Sequence, residues 1–212
     1  MEQVKTRRRY DSPNRRAQAA RTRNAVLTAA RRSFLESGYA ATTVAGIARE
    51  AGVSVETIYK AFGGKAALVR ALYERALAGH GQGAAYERSD AMRLVETDPR
   101  NIMRKWGALT AEVAEQLTPV LLLIKAAAAH DESMHQLLLD SDAERLARMH
   151  HNASFLAERG YLRDGVTPEH AADIMWTCSS AEVFELLVMR RGWSPEQFGA
   201  FVAETMAAAL LP

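Results

Sequence analysis

The chain has 212 residues, enough for a small domain joined to a larger one, and its 48% apolar and 25% charged residues are ordinary for a soluble globular protein. A single cysteine, Cys178, excludes an intramolecular disulfide framework and favours a reducing compartment. The basic start lacks the apolar stretch of a secretory signal, and the most apolar run, residues 120–129, is much shorter than the ~20 residues of a membrane span. We therefore expect a cytoplasmic protein with no membrane partner.

Positive charge is concentrated at the start of the chain. Residues 1–79 contain 15 Lys and Arg against 6 Asp and Glu, whereas the remainder contains 12 against 19. This asymmetry predicts a polyanion-binding end with a basic N-terminal arm over residues 1–17, although a solvated tail without a partner has the same composition. Charge supplies attraction without specificity, so a nucleic-acid function needs a motif as well.

The first part of the chain is predicted to hold four helices. The first covers about residues 18–37 and ends at Gly38, two short ones cover 44–51 and 55–61, and the fourth covers 65–78. A glycine-rich stretch at 79–83 then marks a boundary between domains of residues 18–79 and 80–212.

The second part is also predicted to be helical, with no sheet. Four prolines follow a capping residue, a pattern typical of helix starts: Asp98-Pro99, Thr118-Pro119, Thr167-Pro168 and Ser194-Pro195. With the apolar periodicity, they predict helices over 99–116, 119–129, 133–159, 168–190 and 195–211, and a short one over 86–96. The expected fold class is all-α.

Residues 44–61 satisfy the packing requirements of a helix-turn-helix. Ala48 is small enough for two helices to cross closely, and Gly52 tolerates the positive φ of a tight turn. Ser54 can cap the second helix. The apolar residues that would fix both helices to the domain are Ile47, Ala51, Val53 and Ile58, and the exposed face of the second helix would carry Glu56, Thr57, Tyr59 and Lys60. A plain helical hairpin would satisfy part of this pattern.

The same block resembles the TetR family of transcriptional regulators. The resemblance covers roughly residues 20–79 and rests on the ordered set Phe34-Leu35-Glu36-Ser37-Gly38-Tyr39, Thr42-Thr43-Val44, Ile47-Ala48, Ala51-Gly52-Val53-Ser54, Thr57-Ile58-Tyr59-Lys60-Ala61-Phe62, and Lys65 with Leu68. It implies an all-helical protein with an N-terminal helix-turn-helix domain and a C-terminal ligand-binding and dimerisation domain. Such a protein represses transcription and is released from DNA by a small molecule, although the same features fit an activator.

The resemblance also implies individual contacts with an operator in double-stranded DNA. Thr43 would cap the first motif helix and touch phosphate, and Tyr59 and Lys65 would hold phosphates. The residues expected to face base edges or the nearby DNA backbone are Ser54, Val55, Glu56 and Thr57. Lys60 could contact either a base edge or the backbone. The sequence departs from the family pattern at Gly63-Gly64-Lys65-Ala66-Ala67, where the family usually has a capping side chain before the lysine and acidic residues after it.

Two C-terminal segments predict a homodimer. Residues 168–190 and 195–211 are apolar on nearly every side, so one face of each can pack within its own domain while the other needs a partner. A larger monomeric core is the alternative. We expect Phe184 and Leu187 at this interface. A two-fold dimer would place its recognition helices about one DNA turn, ~34–36 Å, apart.

A largely apolar ligand pocket is predicted between the central helices. Met103, Trp106, Met149 and Trp176 are its candidate lining residues, although ordinary core positions are the commoner place for such side chains. The candidate polar groups are His130, His135, His150, His151 and Glu182, with surface or capping positions as the more common alternative for the histidines.

An enzyme is the main alternative of another class. No Gly-rich phosphate loop or nucleophile elbow is found, His130 and His135 lack the i, i+4 spacing of two ligands on one helix face, and His150 and His151 are adjacent. We therefore expect no catalytic residues, no cofactor and no bound metal. A metal-responsive regulator remains an alternative, and a helical metalloenzyme is disfavoured.

Overall fold

The computed structural model describes residues 12–79 and 84–212, and every regular element in these ranges is helical. The α-helices are α1 Ser12–Ala41, α2 Val44–Ala51, α3 Val55–Phe62, α4 Lys65–Ala78, α5 Ala85–Val95, α6 Pro99–Ala128, α7 Glu132–Glu158, α8 Pro168–Cys178, α9 Ala181–Phe184 and α10 Pro195–Leu210. The all-α prediction is confirmed. The chain divides into two compact units, of which the first ends at Leu68 and the second begins at Val69, inside α4. The functional boundary expected at residues 79–80 remains a prediction.

Helix α1 starts earlier than predicted, because residues 12–17 of the expected basic arm are already helical. Residues 1–11 of that arm lie outside the described residues. The predicted break at Gly38 is confirmed, because the backbone there is non-helical (φ 77°, ψ 170°), and the range Ser12–Ala41 therefore contains a kink before its last three residues. The buried Thr42 hydroxyl donates to the carbonyl oxygens of Ser33 (3.0 Å) and Gly38 (2.8 Å), which fixes the chain as it leaves α1.

The first unit surrounds a small apolar core. Its fully buried side chains come from successive helices, with Phe34 on α1, Ile47 on α2, Ile58 on α3 and Leu68 on α4. Burying such a side chain contributes roughly 1.5–3 kcal/mol, so these few residues hold the short helices in place.

The predicted break at Thr118-Pro119 is wrong, because α6 runs continuously from Pro99 to Ala128 with Pro119 inside it. An internal proline removes one backbone hydrogen bond and crowds the preceding turn. On both sides of it, however, apolar residues are buried, with Leu117 before the proline and Val120 and Ile124 after it. This burial outweighs the local cost and keeps the helix intact.

The single helix predicted over residues 168–190 is also wrong. α8 ends at Cys178, Ser180 caps α9, and a π-helical turn follows over Glu185–Arg190. The side-chain oxygen of Ser180 accepts from the Val183 amide at 3.3 Å, a local alternative to continued helix that serine readily supplies. The wider π spacing brings Arg190 onto Glu185, five residues earlier, at 2.6 Å.

The second unit is built around α6. This helix packs against α5, α7, α9 and α10, and most extensively against α10. By length and composition alone α6 could cross a membrane, but its apolar residues serve as the core of the bundle. The core residues are Ile102, Met103, Trp106, Ala153, Leu156, Ala171, Ala172, Met175, Phe184, Phe198, Val202, Met206 and Leu210.

Candidate nucleic-acid interface and ligand cavity

The turn between α2 and α3 has the predicted geometry. Thr43 caps α2 by accepting a hydrogen bond from the Gly46 amide at 3.0 Å. Gly52 ends the helix in the left-handed region at φ 66°, and the Val53 amide then donates to the Ala48 carbonyl oxygen at 3.0 Å. Because a side chain at Gly52 would be strained at this φ, the glycine sets the direction in which α3 leaves.

Helix α3 has one buried and one exposed face. Ser54 caps it, and Ile58 is fully buried in the first unit. On the other side, Val55 is 39% and Tyr59 54% exposed, and Ser54, Glu56 and Lys60 are exposed as well. Val55 and Tyr59, four residues apart, therefore lie on one exposed face of α3.

Thr57 takes part in the cap of α3. Its amide donates to the Ser54 side-chain oxygen at 3.1 Å, and the two hydroxyl groups lie 2.8 Å apart. Thr57 is half-buried, so its methyl and hydroxyl groups are held in a defined position. Two of the predicted contact residues are thereby placed side by side at the start of the helix.

Lys65 lies at the start of α4. Its ammonium nitrogen donates to the Ala40 carbonyl oxygen at 3.3 Å and lies 4.3 Å from the centre of the Tyr39 ring. The two preceding residues, Gly63 and Gly64, have φ values of 97° and 139°, which glycine adopts without strain. This explains why glycines stand here, where the family usually has a capping side chain. The Leu68 amide donates to the Gly64 carbonyl oxygen at 3.0 Å, so α4 is anchored through the backbone.

Arg23 is a further candidate for contact with DNA. The sequence indicated it only as one of many basic residues in the first part of the chain. Its guanidinium carbon lies 4.5 Å from the centre of the Phe62 ring, at the end of α3. Its position on the exposed side of α1 followed from the helical period, but its proximity to α3 depends on how the two helices pack.

A cavity of about 110 Å³ lies within the second unit. Apolar side chains make up most of its wall, and several polar side chains interrupt it. Its lining residues are Leu77, Tyr86, Ser89, Trp106, Leu109, Thr110, Val113, Ala114, Leu117, Thr118, Leu121, Arg145, Arg148, Met149, Asn152, Met175, Ser179, Ala181 and Met206.

Two of the four predicted pocket residues are in this wall. Trp106 and Met149 line the cavity, whereas Met103 and Trp176 are not among its lining residues. Met103 is fully buried in the core, and the Trp176 ring lies under the Arg145 guanidinium, 4.4 Å from ring centre to guanidinium carbon. Whether a residue faces the cavity depends on how far its helix is rotated about its own axis. The sequence does not specify that rotation, so it did not separate Trp106 and Met149 from Met103 and Trp176.

The predicted polar groups lie elsewhere. His130, His135, His150 and His151 are exposed, and Glu182 pairs with Lys125 at 2.7 Å. The polar wall is formed instead by side chains that no sequence motif indicated: Tyr86, Ser89, Thr110, Thr118, Arg145, Arg148, Asn152 and Ser179. No group of three or more His, Cys, Asp and Glu side chains that could hold a metal ion occurs within residues 12–79 and 84–212.

The two arginines of the wall are held by partners at its edge. Arg148 is buried and donates to Asp90 at 2.7 Å, a contact that holds the pKa of Asp90 below its usual value. Arg145 donates to the Trp176 carbonyl oxygen and lies 3.6 Å from Asp142. Burial lowers the pKa of Arg145 and raises that of Tyr86 to about 12, so the Tyr86 hydroxyl keeps its proton at neutral pH.

The segments predicted to form a dimer interface have exposed apolar groups. Leu186 and Met189 of the π-helical turn are 51% and 53% exposed, and Leu187 is half-buried. The expectation that Phe184 lies on this face is wrong. Phe184 is buried in the core of its own chain, where its ring packs edge-on against Phe198 at 5.0 Å between centres.

Comparison with known proteins gives one matching family model, described as bacterial regulatory proteins of the tetR family, over residues 26–72. The HTH-type transcriptional regulator TtgR of Pseudomonas putida is 29% identical over 195 residues, which cover 91% of this chain and 76% of TtgR.

Two solved structures share the fold. A SmeT–triclosan complex has a TM-score of 0.71 at 22% identity, over 90% of this chain and 92% of SmeT. NalD, the secondary repressor of the MexAB-OprM multidrug efflux pump in Pseudomonas aeruginosa, has a TM-score of 0.71 at 21% identity, over 92% of this chain and 98% of NalD. At these identities the likeness concerns the fold.

Proposed function

We propose that the chain is a member of the TetR family of transcriptional regulators, and that it is a sequence-specific DNA-binding repressor that a small, largely apolar molecule releases from its operator. It acts in the cytoplasm as a regulator and not as an enzyme.

The observation that carries this proposal is the exposed face of α3. Ser54 and Thr57 form a capped start, Ile58 anchors the helix, and Val55 and Tyr59 project away from the core. A helix start also supplies backbone amides and a favourable dipole for phosphate. Helices that read DNA insert the side chains of their first turns into the major groove. The predicted DNA contacts are Thr43, Ser54, Val55, Glu56, Thr57, Tyr59, Lys60 and Lys65.

The DNA-binding part is tested by selecting bound duplexes from a random DNA library and measuring affinity for the selected site by fluorescence anisotropy. We expect one preferred sequence with two-fold symmetry and a strong dependence on salt. Lys60→Ala should weaken binding, whereas Arg191→Ala should not, because it removes the same charge from an exposed position in the second unit. Failure to enrich any sequence would contradict the proposal.

The ligand-release part is supported by the cavity of the second unit, whose wall combines apolar and polar side chains as small-molecule sites do. A ligand weakens operator binding only if it binds the DNA-free form more tightly. Because SmeT has been solved with triclosan, triclosan is a suitable first probe. We expect it to raise the midpoint of thermal unfolding and to weaken operator binding. Equal stabilisation with and without operator would contradict the coupling.

The homodimer is proposed to form through residues 168–190 and 195–211. It is supported by Leu186 and Met189, two large apolar side chains that are exposed together on the same π-helical turn. Sedimentation at micromolar concentration should give twice the mass of the chain, and a monomer would contradict this part of the proposal.

A further inference from the structure

Three buried polar atoms of the cavity wall have no hydrogen-bond partner among residues 12–79 and 84–212. They are Nε1 of Trp106, Nε of Arg148 and Oδ1 of Asn152. Each residue lines the cavity, and each is more than nine-tenths buried. Leaving such a group unpaired is unfavourable, so their shared location indicates a polar partner in the cavity.

Both unpaired nitrogen atoms are donors. An indole N–H can only donate, and a guanidinium Nε–H likewise. The protonated Tyr86 hydroxyl is another donor in the same wall. A partner that satisfies these two donors must therefore offer an acceptor atom, whereas Oδ1 of Asn152 is itself an acceptor and requires a separate donor such as water.

The charges in the wall have one sign. Arg145 and Arg148 line the cavity, and its lining contains no carboxylate. Their partners Asp142 and Asp90 lie outside the lining, with side chains 51% and 40% exposed. Water screens these exposed carboxylates more than it screens the guanidinium groups of Arg145 and Arg148, which are largely buried. The interior of the cavity therefore favours a negatively charged group.

We propose that the cavity binds an aromatic molecule bearing an anionic oxygen, a carboxylate or a phenolate. Trp106 Nε1 and Arg148 Nε donate to that oxygen, and the ring lies among the apolar side chains. The inference rests on the proposed ligand-released function and narrows its ligand class.

The size of the cavity limits the ligand. An apolar cavity of about 150 Å³ is known to hold benzene, so a volume of about 110 Å³ requires some side chains to move. Met149, Met175 and Met206 line the wall, and their flexible thioethers can rearrange at low cost. Water can satisfy the three polar atoms before a ligand displaces it.

Matched probes test the charge preference. 2-Naphthoate, 2-naphthamide and 2-naphthylmethylamine share one ring system and carry an anionic, a neutral and a cationic group. We expect calorimetry to show 2-naphthoate binding at least roughly tenfold more tightly than the amide, since hydrogen bonds to charged groups are worth more than neutral ones. The amine should bind most weakly.

Two tryptophan variants provide the control. Trp106→Phe removes the indole N–H but keeps an aromatic ring, and it should reduce the preference for 2-naphthoate over 2-naphthamide by roughly three- to tenfold. Trp176 also has a buried unpaired Nε1, but it does not line the cavity. Trp176→Phe removes this N–H but keeps an aromatic ring against the Arg145 guanidinium, so it should leave the preference unchanged. Because the preference is a ratio, a general loss of stability affects both probes alike.

The outcomes separate the inference from the proposed function. If 2-naphthamide or 2-naphthylmethylamine binds as tightly as 2-naphthoate, or if Trp106→Phe and Trp176→Phe behave alike, the ligand class is wrong. Binding of none of the three probes at millimolar concentration also overturns it. A neutral aromatic probe without an ionisable oxygen that still displaces operator DNA would leave the proposed function intact.

Discussion

Gly107 on α6 and Gly199 on α10 lie face to face where the two helices cross. A β-carbon at Gly107 would overlap the carbonyl oxygen of Gly199, and one at Gly199 would lie 3.1 Å from the carbonyl oxygen of Gly107. This arrangement lets the two backbones approach more closely than any larger residue would allow.

We therefore expect Gly107→Ala to destabilise the protein by roughly 1–3 kcal/mol, because the obstructing atoms belong to backbone that cannot rotate away. The gain in helix propensity from alanine, about 1 kcal/mol, opposes this effect only in part. Urea unfolding followed by circular dichroism measures the change. Ala108→Ser is the control, since it adds an atom at the exposed neighbouring position. A Gly107→Ala variant as stable as the parent would show that α6 can shift freely.

Leu186→Glu should produce folded monomers. Leu186 is 51% exposed within one chain, so a carboxylate there costs little in the monomer but would be buried unpaired in the proposed dimer. Leu94→Glu is the matched control, because Leu94 is 75% exposed on α5, outside the proposed interface. Sedimentation and far-ultraviolet circular dichroism give mass and folding together. A dimeric Leu186→Glu variant would place the interface elsewhere.

Thr57→Ala should cost roughly 1–3 kcal/mol on the selected operator and change the preference at one position in each half-site. Affinity for unrelated DNA should barely change. Thr57→Val tests the hydroxyl separately, because it keeps a methyl group but removes the partner of the Ser54 hydroxyl. If Thr57→Ala lowers specific and non-specific affinity equally, α3 is not the reading helix.

Lys65→Ala should weaken binding to all DNA sequences alike and reduce the slope of log affinity against log salt by about one for each phosphate that is no longer neutralised. Its ammonium already contacts the Ala40 carbonyl and the Tyr39 ring, which holds it at the start of α4. Lys65→Arg keeps the charge and should keep the slope. An unchanged slope in Lys65→Ala, with only lower thermal stability, would assign the lysine to the fold alone.

Stability should fall in alkaline solution, and Tyr86 is one source of the loss beside Tyr73, whose pKa is also raised by burial. Burial, with Glu144 nearby, raises the pKa of Tyr86 from 10.0 to about 12. Between these values the folded protein keeps a proton that the unfolded chain releases, so the unfolded form is favoured as the pH rises, and the contribution is intact below about pH 10. Unfolding in urea at about pH 9 and about pH 11 measures the loss. Tyr86→Phe should show a smaller loss than the parent, and an equal loss would assign the effect to other groups.

Local signals in the sequence were sufficient for the DNA-binding segment. Thr43 and Ser54 are caps, and Gly52 is the left-handed turn residue, as predicted. Each of these roles depends on a side chain and on backbone atoms within a few residues of it. Such interactions are local, so the sequence indicates where a helix starts or ends, and α2 and α3 have the predicted starts and α2 the predicted end.

The tertiary structure decided what depends on distant residues. The residue pair Thr118-Pro119 has the same start signal as Thr167-Pro168, yet only the second begins a helix, because burial along α6 outweighs the cost of one proline. Contacts between distant residues also decided which side chains line the cavity. Trp106 and Met149 line the wall, while Met103 and Trp176 do not, because the packing of α6, α7 and α8 sets how far each helix is rotated. A sequence places residues on a helix face by its period, but only contacts between helices determine what that face meets.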